Sequence, residues 1–372
     1  MNSRERFDAC MNHRQPDRPP FDIGATCLTS MRRQTELADF LGLPGDPKPI
    51  GAWGFDERIM EWAGVDFRGV GQIVQLPSVH TKDISETCKV NCWGIRKELI
   101  DNEWQITDNP LRGADESDLE KFKWPDPRVD EALLARWAAE AKALKEKGRH
   151  VVIAEHPVLG IMELGCMMFG YEDYLCNLAA EPDLIRRFND RVLQIQLSVI
   201  QQYYSVLGPY IDLTISGDDF GTQQGPLISP EMFGEFIAPS FTERIRQTKG
   251  IAGCYYWHHS CGSIFDLLGK IIECGVDIIN PVQVSAAKMN PASLKNTFGE
   301  RVVFWGAMDV QQFLPYASPE EVCAKTHELV SVLGKNGGYV MAPAHEMNTD
   351  IPLENIVAWV EALNEFKKGD DA

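Results

Sequence analysis

The chain has 372 residues, 44% apolar and 24% charged, the proportions of an ordinary folded protein rather than a disordered or fibrous one. Its 54 acidic and 36 basic residues leave a formal net charge of -18, a field that repels phosphate backbones and anionic lipid surfaces and argues against nucleic acid or membrane as partners. Ten cysteines are too few for a disulfide scaffold, no run approaches the length of a membrane span, and the first 30 residues lack the apolar core of a signal peptide, so a soluble protein of the reducing cytoplasm is expected.

Residues 1–150 are irregular in pattern. Ser3–Asn12 reads as a short helix, PDRPPFDIGAT as a loop entering a first strand, Met31–Leu41 as a second helix, and residues 70–111 as a β-rich excursion ending at Asn109-Pro110. Asp130–Lys147 is a strong helix that leads into Val151–Glu155 (VVIAE). From there short β-rich runs alternate with amphipathic segments. The runs are Ile211–Ser216, Ile251–Trp257, Val276–Asn280, Val302–Gly306 and Tyr339–Ala342. The helical segments include Pro182–Leu207, Ser229–Lys249, Ser318–Lys335 and Leu353–Lys368. Two of these open with Ser-Pro-Glu, a cap followed by Pro in the first turn and an acid at the positive end of the dipole.

Strand starts at 211, 251, 276, 302 and 339 are 40, 25, 26 and 37 residues apart, the spacing of successive βα units. Such units close into a (β/α)8 barrel or spread as an open doubly wound sheet. No glycine-rich phosphate loop supports the open sheet, and no repeat or linker divides the chain. The expected architecture is one α/β domain over residues 1–372, with an N-terminal helical and β elaboration before about residue 150 and regular βα units from 151 onward, closed as a TIM-type barrel or left as an open sheet.

Five consecutive strands run into polar residues at their C-terminal ends: Gly217-Asp218-Asp219, His258-His259-Ser260-Cys261, Pro281-Val282-Gln283, Ala307-Met308-Asp309 and Pro343-Ala344-His345-Glu346. In a parallel barrel this is the active-site mouth. His259 and Cys261 leave one strand two residues apart and offer imidazole and thiolate, a good donor pair for Zn2+. His345, beyond the last strand, is placed to be the third ligand, and Glu346 a candidate fourth. Asp218 or Asp219 is expected to complete the shell or orient a ligand through a hydrogen bond. Gln283, Asp309 and Trp257 are expected to line the substrate pocket, with Trp53, Phe55 and Trp93 as further aromatic wall. His258 and Cys254 read as packed core, and Cys88 and Cys92 as free thiols.

Taken together, SRERFDACMNHRQPDRPPFDIG, GDDFGTQQGPLISPEMF, HHSCGSI, GVDIINPVQVSA, LKNTFGERVVFWGAMDVQ and PAHEMNTDIPLENI resemble, in order, blocks of the uroporphyrinogen decarboxylase superfamily from about Ser3 to Phe366. The resemblance implies a (β/α)8 barrel. Porphyrinogen decarboxylases of that superfamily bind their polycarboxylate substrate with an arginine-containing N-terminal signature; the corresponding stretch here, Pro20 to Thr26, has no arginine. The other branch comprises zinc-dependent methyltransferases that work with corrinoid proteins and keep an H-x-C pair, matched by His259 and Cys261. Their third ligand is often Cys, and His345 stands in its place.

That exchange changes the charge of the centre. Zn2+ with one Cys thiolate and two neutral imidazoles carries one net positive charge, suited to polarising an ether oxygen. With the zinc and corrinoid chemistry that the resemblance implies, that charge leads to the expectation of methyl transfer from a methoxylated substrate, such as an aryl methyl ether, to cobalt in a corrinoid (cobalamin) carried by a partner protein, Asp218 or Asp219 orienting a zinc ligand or protonating the departing oxygen. A thiol methyltransferase of the coenzyme M type and a metal-free decarboxylase are the alternatives.

Overall fold

In the computed structural model, which describes residues 1–26, 30–51, 54–101 and 103–368, seven strands form one curled parallel sheet. They are β1 (Phe67–Val70), β2 (Val151–Glu155), β3 (Leu213–Gly217), β4 (Tyr255–His259), β5 (Ile278–Val282), β6 (Val303–Met308) and β7 (Tyr339–Pro343). Each pairs with the next in sequence, Phe67 beside Val151, Leu213 beside Tyr255 and Phe304 beside Tyr339. Consecutive parallel strands need a crossover between them. Helices Pro182–Leu207, Ala238–Ala252, Phe265–Glu273, Pro291–Phe298 and Pro319–Leu333 supply the later ones. Every residue of β5, β6 and β7 is buried, as strands covered on both faces require.

Eight strands were expected, and the sheet among the described residues has seven. Where the eighth would lie, Phe21 makes a single bridge to Met341. The Asp22 N–H donates to the Met341 carbonyl at 3.0 Å, the Met341 N–H to the Pro20 carbonyl at 2.9 Å, and the Asp66 N–H to the Phe21 carbonyl at 3.0 Å. Residues 20–22 therefore touch both edges of the sheet. Pro19 and Pro20 carry no N–H, so the ladder cannot lengthen there. The contact is anchored by the buried Asp66 carboxylate, which accepts from Arg6 Nη1 at 2.7 Å, Arg18 Nη1 at 2.8 Å and the Phe21 N–H at 2.8 Å.

Other boundaries follow local chemistry. Ile251 and Ala252, expected to open a strand, end the preceding helix instead, because Gly253 at φ 61° caps it; β4 begins at Tyr255. Ile211 and Asp212 likewise precede β3. The segment from Ser229 begins as a cap and a helical turn, passes through a π-helical stretch at Phe233–Ile237, and runs on to Ala252. The β-rich excursion is an antiparallel meander of Lys82–Ser85, Cys88–Val90, Arg96–Ile100 and Glu103–Asp108. Strand β1, four residues with an arginine and a glycine among them, has no periodic signature in the sequence. No helix among the described residues is long and apolar enough to cross a membrane.

Candidate metal centre

Alternation along β4 sorts its side chains. Trp257 and His259 line a cavity of about 350 Å³ at the C-terminal ends of the strands. His258 turns the other way and packs on Phe220 and Phe241, ring centroids 5.4 and 4.6 Å distant, with Nδ1 3.0 Å from Ser216 Oγ. It is a core histidine, as expected.

The chain turns sharply after His259, and this returns Cys261 to the same strand end, Sγ 3.2 Å from His259 Nε2. His345, two residues beyond β7, reaches the same point: ligand atoms of His259, Cys261 and His345 all lie within 4.8 Å of one another. His259 Nδ1 is 2.7 Å from Asn280 Oδ1, and Asn280 Nδ2 donates to the Trp305 carbonyl at 3.3 Å. That second bond fixes the amide so that Oδ1 accepts. His259 therefore carries its proton on Nδ1 and turns the Nε2 lone pair toward Cys261. Asn280 was not singled out in the sequence; its only signal is a lone amide ending an apolar strand.

The two aspartates part company. Asp219 Oδ1 accepts the Cys261 N–H at 2.7 Å and so fixes the turn that presents Cys261; it also lies 3.8 Å from His259 Nε2. Asp218 is buried and accepts from the Glu163 and Met162 N–H groups at 2.7 and 3.1 Å. It thereby caps helix Ile161–Phe169, whose own N-cap is Gly160. Of the two, Asp219 is the one hydrogen-bonded to a residue of the donor group. Glu346 lines the cavity with Trp257 and stands outside the three-residue donor group.

Gln283 and Asp309 do not share the Trp257 cavity. They line a second one, also about 350 Å³, which meets the first at His345 and touches Cys261. Gln283 Oε1 accepts the Gly262 N–H at 2.8 Å, and Asp309 Oδ1 accepts from the Gln311 and Gln312 N–H groups. Both side chains shape turns. Phe55 and Trp93 are core residues outside the cavity lining, and Trp53 lies outside the described residues.

Burial governs the electrostatics. It pushes the Cys261 thiol up to about 12, Asp219 adding to the effect, so a thiolate here requires a cation beside it. Burial raises Asp218 to about 7. Glu163 is raised to about 8 by burial and by the charges of Asp218 and Asp219, and Glu155 to about 8 by burial alone. Neither glutamate was identified from the sequence, where Glu163 reads as a first-turn acid in an apolar helix. Two imidazoles and one thiol converging, with one imidazole held in the ligating tautomer, form a donor set that fits Zn2+.

Comparison with known proteins gives a consistent picture. Residues 94–366 match the family described as Uroporphyrinogen decarboxylase (URO-D). A uroporphyrinogen decarboxylase of Methylococcus capsulatus is 22% identical over 288 residues, covering 73% of this chain and 75% of that protein. A methylated-thiol–coenzyme M methyltransferase of Methanosarcina mazei is 29% identical over 139 residues, 37% of this chain and 34% of that protein. The solved structure of a methyltransferase from Methanosarcina mazei shares the fold at TM-score 0.65 and 17% identity, covering 98% of this chain and 99% of the other.

Proposed function

The chain belongs to the uroporphyrinogen decarboxylase (URO-D) family, and from that premise we propose that it is a zinc-dependent methyltransferase, carrying a methyl group from a methoxylated substrate to the cobalt of a corrinoid protein. The observation that carries the reading is the convergence of His259, Cys261 and His345. Zinc held by these three residues would supply Lewis acidity toward an ether oxygen. We also read residues 20–22 as the eighth stave that makes the sheet a closed barrel.

The chain's own residues have separable tasks. Asn280 holds His259 in the tautomer that ligates, and Asp219 fixes the turn that presents Cys261. Trp257, stacked on His259 with ring centroids 6.0 Å apart, gives the substrate a flat wall. Ile73, Val158 and Leu159 give the cavity an apolar face. Glu163 holds a proton at neutral pH and is the group to deliver it to the departing oxygen. Porphyrinogen decarboxylation fits less well, because no Lys or Arg among the described residues lines the cavity to meet carboxylates.

The first test is metal content by elemental mass spectrometry, beside a His345→Ala variant. About one zinc per chain, lost or weakened in the variant, is the expected result. Zinc-free protein after zinc is supplied would end the reading. The second test is methyl transfer to a reduced corrinoid protein across a panel of methoxylated compounds, where failure with every compound refutes the donor class.

A further inference from the structure

The second cavity, about 350 Å³ and meeting the first at His345, has no task in the reading above. Loops after five consecutive strands, β3 to β7, enclose it, and Cys261 and His345 stand in its wall, so its occupant lies against the donor cluster. The rest of the lining is rich in amides and hydroxyls, among them Thr222, Gln223, Ser285 and Gln311, and holds one carboxylate, Asp309. Two of its polar groups are only half used. Gln283 is 8% exposed, and its Oε1 accepts the Gly262 N–H at 2.8 Å. That bond fixes which end of the amide is oxygen, so Nε2 and its two N–H donors are the end left over. Among the described residues Nε2 meets no acceptor, and it is not one of the atoms sealed from open space. Asp309 is in the complementary state. Its Oδ1 accepts from the Gln311 and Gln312 N–H groups at 2.8 and 3.1 Å, while Oδ2 meets no donor among the described residues. Buried polar groups are ordinarily satisfied, so an open donor and a free carboxylate oxygen on one small cavity mark what an occupant brings: an acceptor and a donor.

We infer that the second cavity binds a primary carboxamide, its carbonyl oxygen accepting from Gln283 Nε2 and its NH2 group donating to Asp309 Oδ2. A carboxamide offers an acceptor and a donor on two atoms of one plane, which a single hydroxyl does not. A carboxylate brings two acceptors, and one of them would face Asp309. The proposed zinc centre on the same wall would attract an anion, so charge alone does not choose the occupant; the donor–acceptor pair does. The volume is near the small end for ligand sites and holds one substituted ring or one amide-bearing arm. Two sources supply this chemistry: a small substrate that carries the amide, or the rim of a corrin ring, whose arms end in carboxamides. The site itself stands apart from the methyltransferase reading, and only the corrin source rests on the partner proposed above.

The test is binding to the full chain supplied with zinc at pH 7, with benzamide and benzoate as probes followed by ligand-observed NMR. Benzamide is expected to bind at millimolar concentration. Gln283→Glu keeps an oxygen for the Gly262 N–H and removes the open donor, and it should weaken benzamide about tenfold. Asp309→Asn keeps an oxygen for the Gln311 and Gln312 N–H groups and turns the free acceptor into a donor. It should shift the benzamide-to-benzoate preference about tenfold toward benzoate. Benzoate is read only as a change between the two chains, which cancels its attraction to zinc. Benzamide that fails to bind, or that binds both variants as it binds the parent, overturns the inference. Should Gln283→Glu not fold, the shift in preference on Asp309→Asn decides alone. Cobinamide, a corrin with amide arms, separates the sources. Displacement of benzamide by cobinamide assigns the site to the corrin. Benzamide binding that cobinamide leaves untouched assigns it to a small substrate; that result sustains the carboxamide site and counts against the corrinoid part of the proposed function, so the two failures are told apart.

Discussion

Replacing Asn280 by Leu tests the proposed metal centre without touching a proposed donor. The side chain does two things: Oδ1 accepts the His259 Nδ1 proton at 2.7 Å, and Nδ2 donates to the Trp305 carbonyl at 3.3 Å. Leucine is of similar size and removes both. The His259 imidazole can then move its proton to Nε2, the atom that faces Cys261 Sγ at 3.2 Å, and each metal-binding event must first reverse that shift. One neutral hydrogen bond is worth about 1–1.5 kcal/mol net, and loss of a histidine-orienting partner commonly costs roughly 10- to 100-fold in metal affinity. The expected loss for Asn280→Leu is therefore about tenfold in zinc affinity, read by competition with a chromophoric chelator at pH 7. Asn280→Asp keeps the acceptor and should hold or raise the affinity. An Asn280→Leu variant that folds and binds zinc within about twofold of the parent would refute the idea that this amide sets the ligating tautomer.

A Cβ at Gly160 would stand 2.2 Å from Asp218 Cγ, so Gly160→Ala should displace the carboxylate that caps helix Ile161–Phe169 and cost about 1–3 kcal/mol in urea denaturation. Glu155 is raised from 4.5 to about 8 in the folded chain, so the folded state keeps a proton that the unfolded chain releases; its contribution to stability falls as pH rises from about 4.5 to about 8. Glu155→Gln should flatten that part of the stability–pH profile, and an unchanged slope would contradict the assignment. Asp66→Asn leaves the buried Arg6 and Arg18 without their shared counter-charge and should destabilise by about 3–5 kcal/mol, measured by the same unfolding assay.

The regular βα units were legible because each carries its own punctuation. Helix Pro182–Leu207 and strand Val151–Glu155 lie where pattern and caps put them. The convergence of His259, Cys261 and His345 was legible for a related reason: parallel strands bring their C-terminal ends to one place, so the three could be grouped from strand order. What escaped the sequence depends on neighbours from distant segments. Asn280 matters only because His259 lies beside it, and Asp218 turned out to serve a helix 55 and 56 positions earlier in the chain. Strand β1 is a strand through its partners, since FRGV has neither alternation nor a flanking turn to announce it.

The clasp at residues 20–22 has a consequence for the order in which the protein is made. Its partner Met341 lies near the other end of the chain, and close by the Cys10 thiol donates to the Tyr339 carbonyl across 329 positions. During synthesis residues 20–22 must wait, their partner unmade, until Met341 has emerged, and such distant contacts are the slowest to form. His345 arrives just behind Met341. On the proposed reading His345 comes into place with that seam, so an ion held there would report that the seam has formed. Removing it from the mature protein should quicken hydrogen exchange at the Asp22 and Met341 amides before it does so elsewhere in the sheet.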